Sequence, residues 1–415
     1  MADERSATVI GAGVVGMAIA LTLQSRGWRV SVIDRLPPGE GCSFGNAGGI
    51  GVDHAFPVAL PGVMKRVPRY LLNPLGPLAI RPGHAPRLVP WLLKFLPTGQ
   101  GAKLQHTIDA LGALQHASYD CWVPLLKAAR LEDQVRPGGC INPYESEANL
   151  EADLPIWRML QARGYRSERL GASELRQLEP ALPARYTCAM FEPEFRRVLD
   201  PFRIVTGLAD AFVAGGGTIL REQVSAFEFG ADSSIRIRTH RAVRTADHLV
   251  VAAGAVSNRL AALLGDPGVP LEAGRGYHVT LPDPGLELRH VVVAPEHQVA
   301  ITPMSMGLRF AGTLEFAGAD SAPNWKRADA ILKIAGRVFP GIKTDGYTQW
   351  TGDRPMMPDS VPVISRATKR PNVYYTFGSG HYGLTQAGVI GRLVAEMMAG
   401  ETPFLDVAPY RVDRF

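Results

Sequence analysis

The sequence predicts an α/β chain of two domains, one built on a parallel sheet and a second, α+β domain carrying an antiparallel sheet. Three observations predict it. Residues 7–10 form an apolar run, followed by a glycine turn, a helix-forming stretch at 17–24, a second apolar run at 28–33 and an acid, Asp34. A second strand–glycine–helix junction spans 247–264, with Gly254 at its turn. Strand candidates then recur at 277–281, 291–294, 299–302 and 308–312, the pattern of an antiparallel sheet.

Each residue of the first junction has a physical reason. Gly11 permits the tight turn out of the strand, and Gly13 lets the backbone approach a pyrophosphate on the positive helix N-terminus. Gly16 lets helix and strand pack closely, and Val14 and Val15 complete the turn into the helix. Asp34 follows near the expected interval of about 20 residues and accepts hydrogen bonds from an adenosine ribose; Arg35 comes directly after it. Strand, turn, helix and acid agree on a Rossmann-type dinucleotide site. The leader is acidic at Asp3 and Glu4, and glycines interrupt the apolar region, so a secretory signal is not expected.

At 415 residues, with 46% hydrophobic and 20% charged content, the chain has the composition of a globular protein large enough for two cores. No uninterrupted apolar stretch reaches about 18 residues, so no membrane-spanning helix is expected. Cys42, Cys121, Cys140 and Cys188 are widely spaced. That argues against zinc and a disulfide framework and for a reducing, cytoplasmic setting. The net charge of +5 suits an anionic substrate, a cofactor phosphate or the anionic inner face of the cell membrane. There is no nucleic-acid motif.

Along the chain, glycines crowd the stretch from Gly39 to Gly51, which is costly in a regular element and reads as a loop lying along a ligand. Residues 57–97 mix proline, Arg/Lys and large apolar residues. Pro86, Pro90 and Pro97 limit this segment to short helices. It reads either as a patch touching anionic lipid or as a proline-broken connection packed on the protein. Residues 103–130 and 150–182 read as helices, the latter interrupted at Pro155 and Gly164. Asp200-Pro201 predicts an N-cap followed by proline at the first helical position, with the helix running to about Ala214. Strands are expected at 218–220, 224–229, 235–239 and 373–377, and a last helix at 385–398 ends at Gly400.

These residues together resemble a known family. The Gly11–Gly16 turn, the loop 42–49, the strand 249–254, Arg354-Pro355 and Gly380-His381-Tyr382-Gly383 are similar to the flavin amine oxidoreductases of the D-amino-acid oxidase superfamily. Within it the chain is most similar to bacterial D-amino-acid dehydrogenases. The likeness runs from Ala7 to Tyr410 and takes in Asn46-Ala47-Gly48, Gly276-Tyr277 and Trp350-Thr351-Gly352.

The resemblance implies FAD as cofactor. Gly11, Gly13 and Gly16 would hold its pyrophosphate, Asp34 its ribose and Val224 its adenine through the backbone, with Val14, Val15 and Arg35 also touching the cofactor. Cys42, Ser43, Asn46, Ala47 and Gly48 would run beside the ribityl chain and flavin, with Ala253 and Gly254 near the phosphates. Gly380, His381, Gly383, Leu384 and Thr385 would start a helix aimed at the pyrimidine edge, where its dipole suits an anionic reduced flavin. Arg354 would grip the substrate carboxylate in two parallel bonds, Tyr277 would bond the same group, and His381 and Tyr382 would line the site. His54 is a weaker candidate.

The implied reaction is hydride transfer from the α-carbon of a D-amino acid to flavin N5, with positioning by Arg354 and Tyr277 and no dedicated base. The electrons pass to a quinone or another acceptor. The turn at Gly380–Leu384 departs from the usual pattern, which has a second small residue after the histidine. His278 and the stretch from Glu194 to Arg197 are also atypical. Cyclic or N-methyl amino acids such as D-hydroxyproline, D-proline or sarcosine therefore stay open, with oxygen as an alternative acceptor. So do a non-catalytic flavin subunit of a larger complex and, third, an NAD dehydrogenase. Oligomerisation is also open. The expected FAD domain comprises 1–56, 195–268 and 346–415; the substrate domain comprises 57–194 and 269–345.

Overall fold

The computed structural model describes residues 5–73, 76–230 and 234–415. Its parallel sheet forms around β1 (Ser6–Ile10), which pairs with β2 (Arg29–Asp34) on one side and β14 (His248–Val251) on the other. The full order is β10 (Thr218–Arg221), β2, β1, β14, β21 (Val373–Phe377) and β20 (Val363–Arg366), with β20 alone antiparallel. Parallel neighbours need crossovers. α1 (Val14–Ser25) is one, and α8 (Pro201–Ala214) leads into β10. α8 begins where the Asp200-Pro201 pair predicts: the Asp200 carboxylate accepts from the Phe202 and Arg203 amides at 2.9 and 3.2 Å. α11 (Gly383–Ala399) stops at Gly400, which takes the left-handed conformation at φ 74°.

One face of this sheet is covered by α1, α8 and α11 together with α4 (Gly101–His116) and α5 (Ser118–Ala129), in a core holding Met17, Leu111, Trp122, Phe212 and Leu393. The other face carries an antiparallel meander of β11 (Val224–Phe229), β12 (Ile235–Thr239) and β13 (Val243–Ala246), with α9 (Ser257–Leu263) beside it. The expected assignment of all of 57–194 to the substrate domain is corrected here. The apolar faces of α4 and α5 pack into the nucleotide-side core.

The second unit is a nine-stranded sheet. Its order is β19 (Thr348–Met356), β15 (Glu272–Leu281), β18 (Gly307–Phe316), β17 (Val299–Met304), β16 (Val291–Ala294), β6 (Cys140–Tyr144), β8 (Cys188–Glu192) and β7 (Glu168–Gly171). β4 (Leu78–Ile80) adds to β18. α10 (Lys326–Val338) covers one face over Val279, Phe310 and Phe339. β19 pairs along its length with β15, so the stretch from 346 to 356, expected in the FAD domain, belongs to this sheet. A small sheet of β3 (Gly49–Ile50), β9 (Arg196–Val198) and β5 (Val135–Pro137) ties the glycine loop to the second unit's strands.

α6 (Glu147–Gln161) runs through Pro155, where an interruption was expected; it keeps Leu150, Leu154 and Trp157 buried. α7 (Ala172–Leu178) follows β7. The proline-rich segment forms α2 (Val63–Leu72) and α3 (Ala85–Phe95). The inner side of α3 is packed, with Leu88, Trp91 and Phe95 buried, while Leu72 on α2 and Leu93 on α3 point outward, 85% and 66% exposed. Among the described residues, no helix is long and apolar enough to cross a membrane. No group of three His, Cys, Asp or Glu side chains among them could hold a metal.

Candidate active site

The nucleotide end is a turn without room for side chains. Gly11 sits at φ 117°, and a Cβ there would lie 2.3 Å from the Ala252 carbonyl oxygen. A Cβ on Gly16 would lie 1.9 Å from the Gly11 oxygen, so α1 can approach β1 only as glycine. Gly13 caps α1, and the Val14 amide donates to the Ser43 hydroxyl at 2.9 Å, which pins the glycine loop to the same helix terminus.

Asp34 accepts from the amides of Ala12 and Leu36 at 2.7 and 2.9 Å and retains lone pairs for further donors. The Glu222 amide donates to the Asp34 carbonyl at 2.8 Å, two residues before Val224. Ala253 and Gly254 follow β14 alongside Gly11, while Arg35 is exposed. A Cβ-free turn, a helix N-terminus and a carboxylate at one sheet edge fit the ADP half of a dinucleotide.

The loop from Cys42 to Gly48 is clamped by side chains of the large sheet. Arg309 on β18 donates to the Asn46 carbonyl at 2.7 Å, Thr302 on β17 to the Ala47 carbonyl at 2.6 Å, and His278 on β15 contacts the Gly45 carbonyl through Nδ1 at 3.1 Å. The Trp350 ring stacks on His278 at 5.3 Å and occupies the space a side chain on Gly45 would need. Desolvation by burial, then the nearby charges of Arg309 and Arg354, pushes the His278 imidazole down to about 3. It is therefore neutral, and its Nδ1–H donates to the carbonyl. Burial likewise lowers Arg309 to about 10.

Arg309 and Thr302 gave no signal in the sequence, because alternate residues of ordinary strands carry none. Cys42 is exposed on the cleft, and desolvation by its surroundings pushes its thiol up to about 11, away from the reactive thiolate.

The substrate end is a cavity of about 720 Å³ bordered by Cys42, Asn46, His54, Arg354, His381 and Thr385. β19 lays the Arg354 guanidinium over Gly276, where a Cβ would lie 2.2 Å from its central carbon. One of its nitrogens donates to the Thr313 carbonyl at 3.2 Å. It has no carboxylate partner among the described residues. Burial lowers its pKa from the ordinary value, yet an arginine stays charged.

The Gly380 amide donates to the Pro355 carbonyl at 2.9 Å, so the start of α11 meets the Arg354 strand. Thr385 donates to the Gly49 carbonyl at 3.2 Å and accepts from the Gly51 amide at 3.3 Å, binding the loop to the first turn of α11. His381 opens onto the cavity. Desolvation, then Arg354 and His54, pushes its imidazole down to about 3.

One expectation changes. Tyr277 borders the cavity, but its hydroxyl does not join Arg354. Its neighbour Gly276 faces the cavity, so the Tyr277 side chain points to the opposite side of β15. There its hydroxyl donates to Glu315 at 2.6 Å and accepts from the Asn324 amide at 2.8 Å. Tyr382 borders the cavity as expected, and its hydroxyl donates to the Phe56 carbonyl at 2.7 Å. The Leu384 side chain is buried in the core, and its carbonyl accepts from the Trp122 indole at 2.9 Å. Gly383 opens α11 without a side chain. Glu192, with no signal in the sequence, lies behind His54.

The family model described as FAD dependent oxidoreductase matches residues 6–397. A D-amino-acid oxidase of Bradyrhizobium diazoefficiens is 36% identical over 422 residues, covering all of both chains. A D-amino acid dehydrogenase of Vibrio vulnificus is 30% identical, covering 95% of this chain and 96% of the relative. Among solved structures, glycine oxidase from Geobacillus kaustophilus superposes with a TM-score of 0.74 at 20% identity, over 99% of each chain. L-proline dehydrogenase from P. horikoshii does so with 0.76 at 19%, over 100% of this chain and 98% of that one. At those identities the structures speak for the fold. The family match over nearly the whole chain and the relatives at 30% identity or more decide the rest: the protein belongs to the FAD dependent oxidoreductase family and is an enzyme that uses FAD.

Proposed function

We propose that the protein oxidises D-amino acids at the α-carbon and passes the electrons to a quinone or another acceptor. One observation carries this reading: Arg354 is a cavity-lining cation without a carboxylate partner among the described residues. Its planar fork matches an α-carboxylate in two parallel hydrogen bonds. The N-terminus of α1 and the Cys42–Gly48 loop would hold FAD, which would supply the hydride acceptor.

The chain's own residues do the positioning. Arg354 fixes the carboxylate, which orients the α-hydrogen. The N-terminus of α11 adds positive potential where negative charge develops. Val58, Leu78, Trp91 and Phe95 give the cavity an apolar wall that receives the substrate side chain and excludes water. Two relatives named for D-amino acids support the D configuration. The outward Leu72 and Leu93, with Arg69 and Lys94 on the same two helices, support contact with an anionic lipid surface, the setting of a quinone. Leu72→Ser with Leu93→Ser should abolish sedimentation with anionic vesicles.

The test of the reaction is anaerobic bleaching of the bound flavin by a panel of D-amino acids, including D-proline and 4-hydroxy-D-proline, beside sarcosine and the L-enantiomers. Bleaching by D-compounds is expected, fastest with apolar side chains. Rapid return of colour in air would mean that oxygen is the acceptor. A yellow protein bleached by no amino acid would sink the reading.

A further inference from the structure

Amine oxidation has a proton problem, and the base assigned to solve it rests on the amino-acid oxidation proposed for this cavity. An ammonium nitrogen has no lone pair, so it cannot assist departure of the α-hydrogen. Something must first take its proton. One imidazole on the cavity wall is set up to do so.

His54 lies on the loop just past β3. Its Nδ1 is 2.9 and 3.2 Å from the two carboxylate oxygens of Glu192, at the end of β8. Glu192 is fully buried, and Asn142 on β6 donates to it at 2.8 Å. The carboxylate accepts, so Nδ1 carries the hydrogen, and in the neutral ring Nε2 then carries the lone pair. Nε2 makes no hydrogen bond among the described residues. The ring borders the same cavity as Arg354 and His381. Phe56, Phe195 and Tyr382 pack around it and fix its orientation. The Gln115 side chain donates to the His54 carbonyl at 3.0 Å and holds the loop.

We propose that His54 is the base that accepts the substrate's amine proton, with Glu192 as its positioning residue. The N–H bond of the substrate ammonium breaks, and the proton bonds to Nε2. The lone pair left on nitrogen then assists release of the α-hydrogen with its electron pair, which the family's FAD accepts. The imidazolium so formed lies against the Glu192 carboxylate, which offsets its charge.

The other titratable groups near His54 do not compete. Burial raises the Tyr382 phenol and, beside Glu192, the Cys140 thiol, so both stay neutral. His381 also borders the cavity, but desolvation weakens it as a base and no carboxylate lies against its ring among the described residues. Asp53, on the same loop, has its carboxyl raised by burial, and Arg166, His116 and Glu194 lie around it. Glu192 is the carboxylate in contact with the ring.

The experiment is the pH profile of anaerobic flavin reduction in the FAD-loaded protein, wild type against His54→Asn and Glu192→Gln. At neutral pH, His54→Asn should slow reduction about 10²-fold. At alkaline pH, where the free amine supplies its own lone pair, the rate should return to within a few-fold of wild type. Glu192→Gln should shift the profile the same way by less. Binding of an unreactive carboxylate lacking the amine, read from the flavin difference spectrum, should not change. A His54→Asn protein with the wild-type profile overturns the proposal while the reaction stands. A wild type reduced by no amino acid overturns both. If His54→Asn does not retain FAD, Glu192→Gln decides by the same profile.

Discussion

Arg275 and Arg354 lie on neighbouring strands of one sheet and face opposite sides of it. Arg275 points to the back, where Asp353 meets it at 2.9 Å and the carbonyls of Ser321 and Ala322 accept at 2.8 and 3.2 Å. Tyr277 and Glu315 on that side are likewise bonded to each other. Arg354 points to the front and, among the described residues, donates to the Thr313 carbonyl alone. The front also holds His278 and Arg309, whose hydrogen bonds go mostly to backbone oxygens of the glycine loop. The back neutralises its charges within the fold. The front gathers cationic and donor groups and leaves the matching anion to come from outside. Unmatched buried charge costs stability, and it persists where a ligand supplies the counter-charge.

Substitutions can break this contrast. The largest effect is expected from Arg354→Ala: kcat/KM should fall about 10³-fold, about 4 kcal/mol, with FAD content and melting temperature near wild type. Unchanged turnover would put Arg354 with the structural arginines. Arg275→Met should do the reverse, costing about 3 kcal/mol of stability by stranding Asp353 and leaving KM unaltered. A raised KM without destabilisation would erase the contrast.

Tyr277→Phe should cost about 2 kcal/mol, because a Glu315 oxygen loses its donor and the Asn324 amide its acceptor. Kinetics with a D-amino acid should not move, and a tenfold rise in KM would return Tyr277 to the substrate. A further effect concerns acid. The His278 imidazole titrates near 3 in the fold and near 6.5 in the unfolded chain, so the unfolded state binds the proton first. Its contribution is fully present above pH 6.5 and falls by up to about 1.4 kcal/mol per pH unit below that, toward pH 3. Thermal unfolding across pH 4–7 should show the slope, and His278→Asn should flatten it.

Local signals made much of the fold legible. Gly11, Gly13, Gly16 and Asp34 sit where their spacing puts them, and Asp200 caps α8 as its sequence says. Contacts between distant segments were not legible. His54 and Glu192 meet across 138 positions, and nothing in either neighbourhood announces the other. Tyr277 was misjudged for a reason of parity. Adjacent strand residues face opposite sides, so either Gly276 or Tyr277 can share the Arg354 side, and pairing with β19 decides which. β6 contains Pro143, which weakens a strand reading, and β19 contains Pro355. Both are strands because their partners hold them.

The order of the parallel sheet has a consequence for how the protein is made. Its strands come from the beginning, middle and end of the chain, and α1 and α11 are so close that a Cβ on Gly391 would lie 2.9 Å from the Thr22 hydroxyl. A chain emerging from the ribosome carries β1 and α1 long before β21 and α11 exist to cover them. Until synthesis ends, those apolar faces stay open to aggregation, and pairing of such distant segments is slow. The cleft exists only in the finished molecule. FAD is thus the ligand that holds the completed fold by mass action, and cells short of flavin leave more of this chain open to proteases.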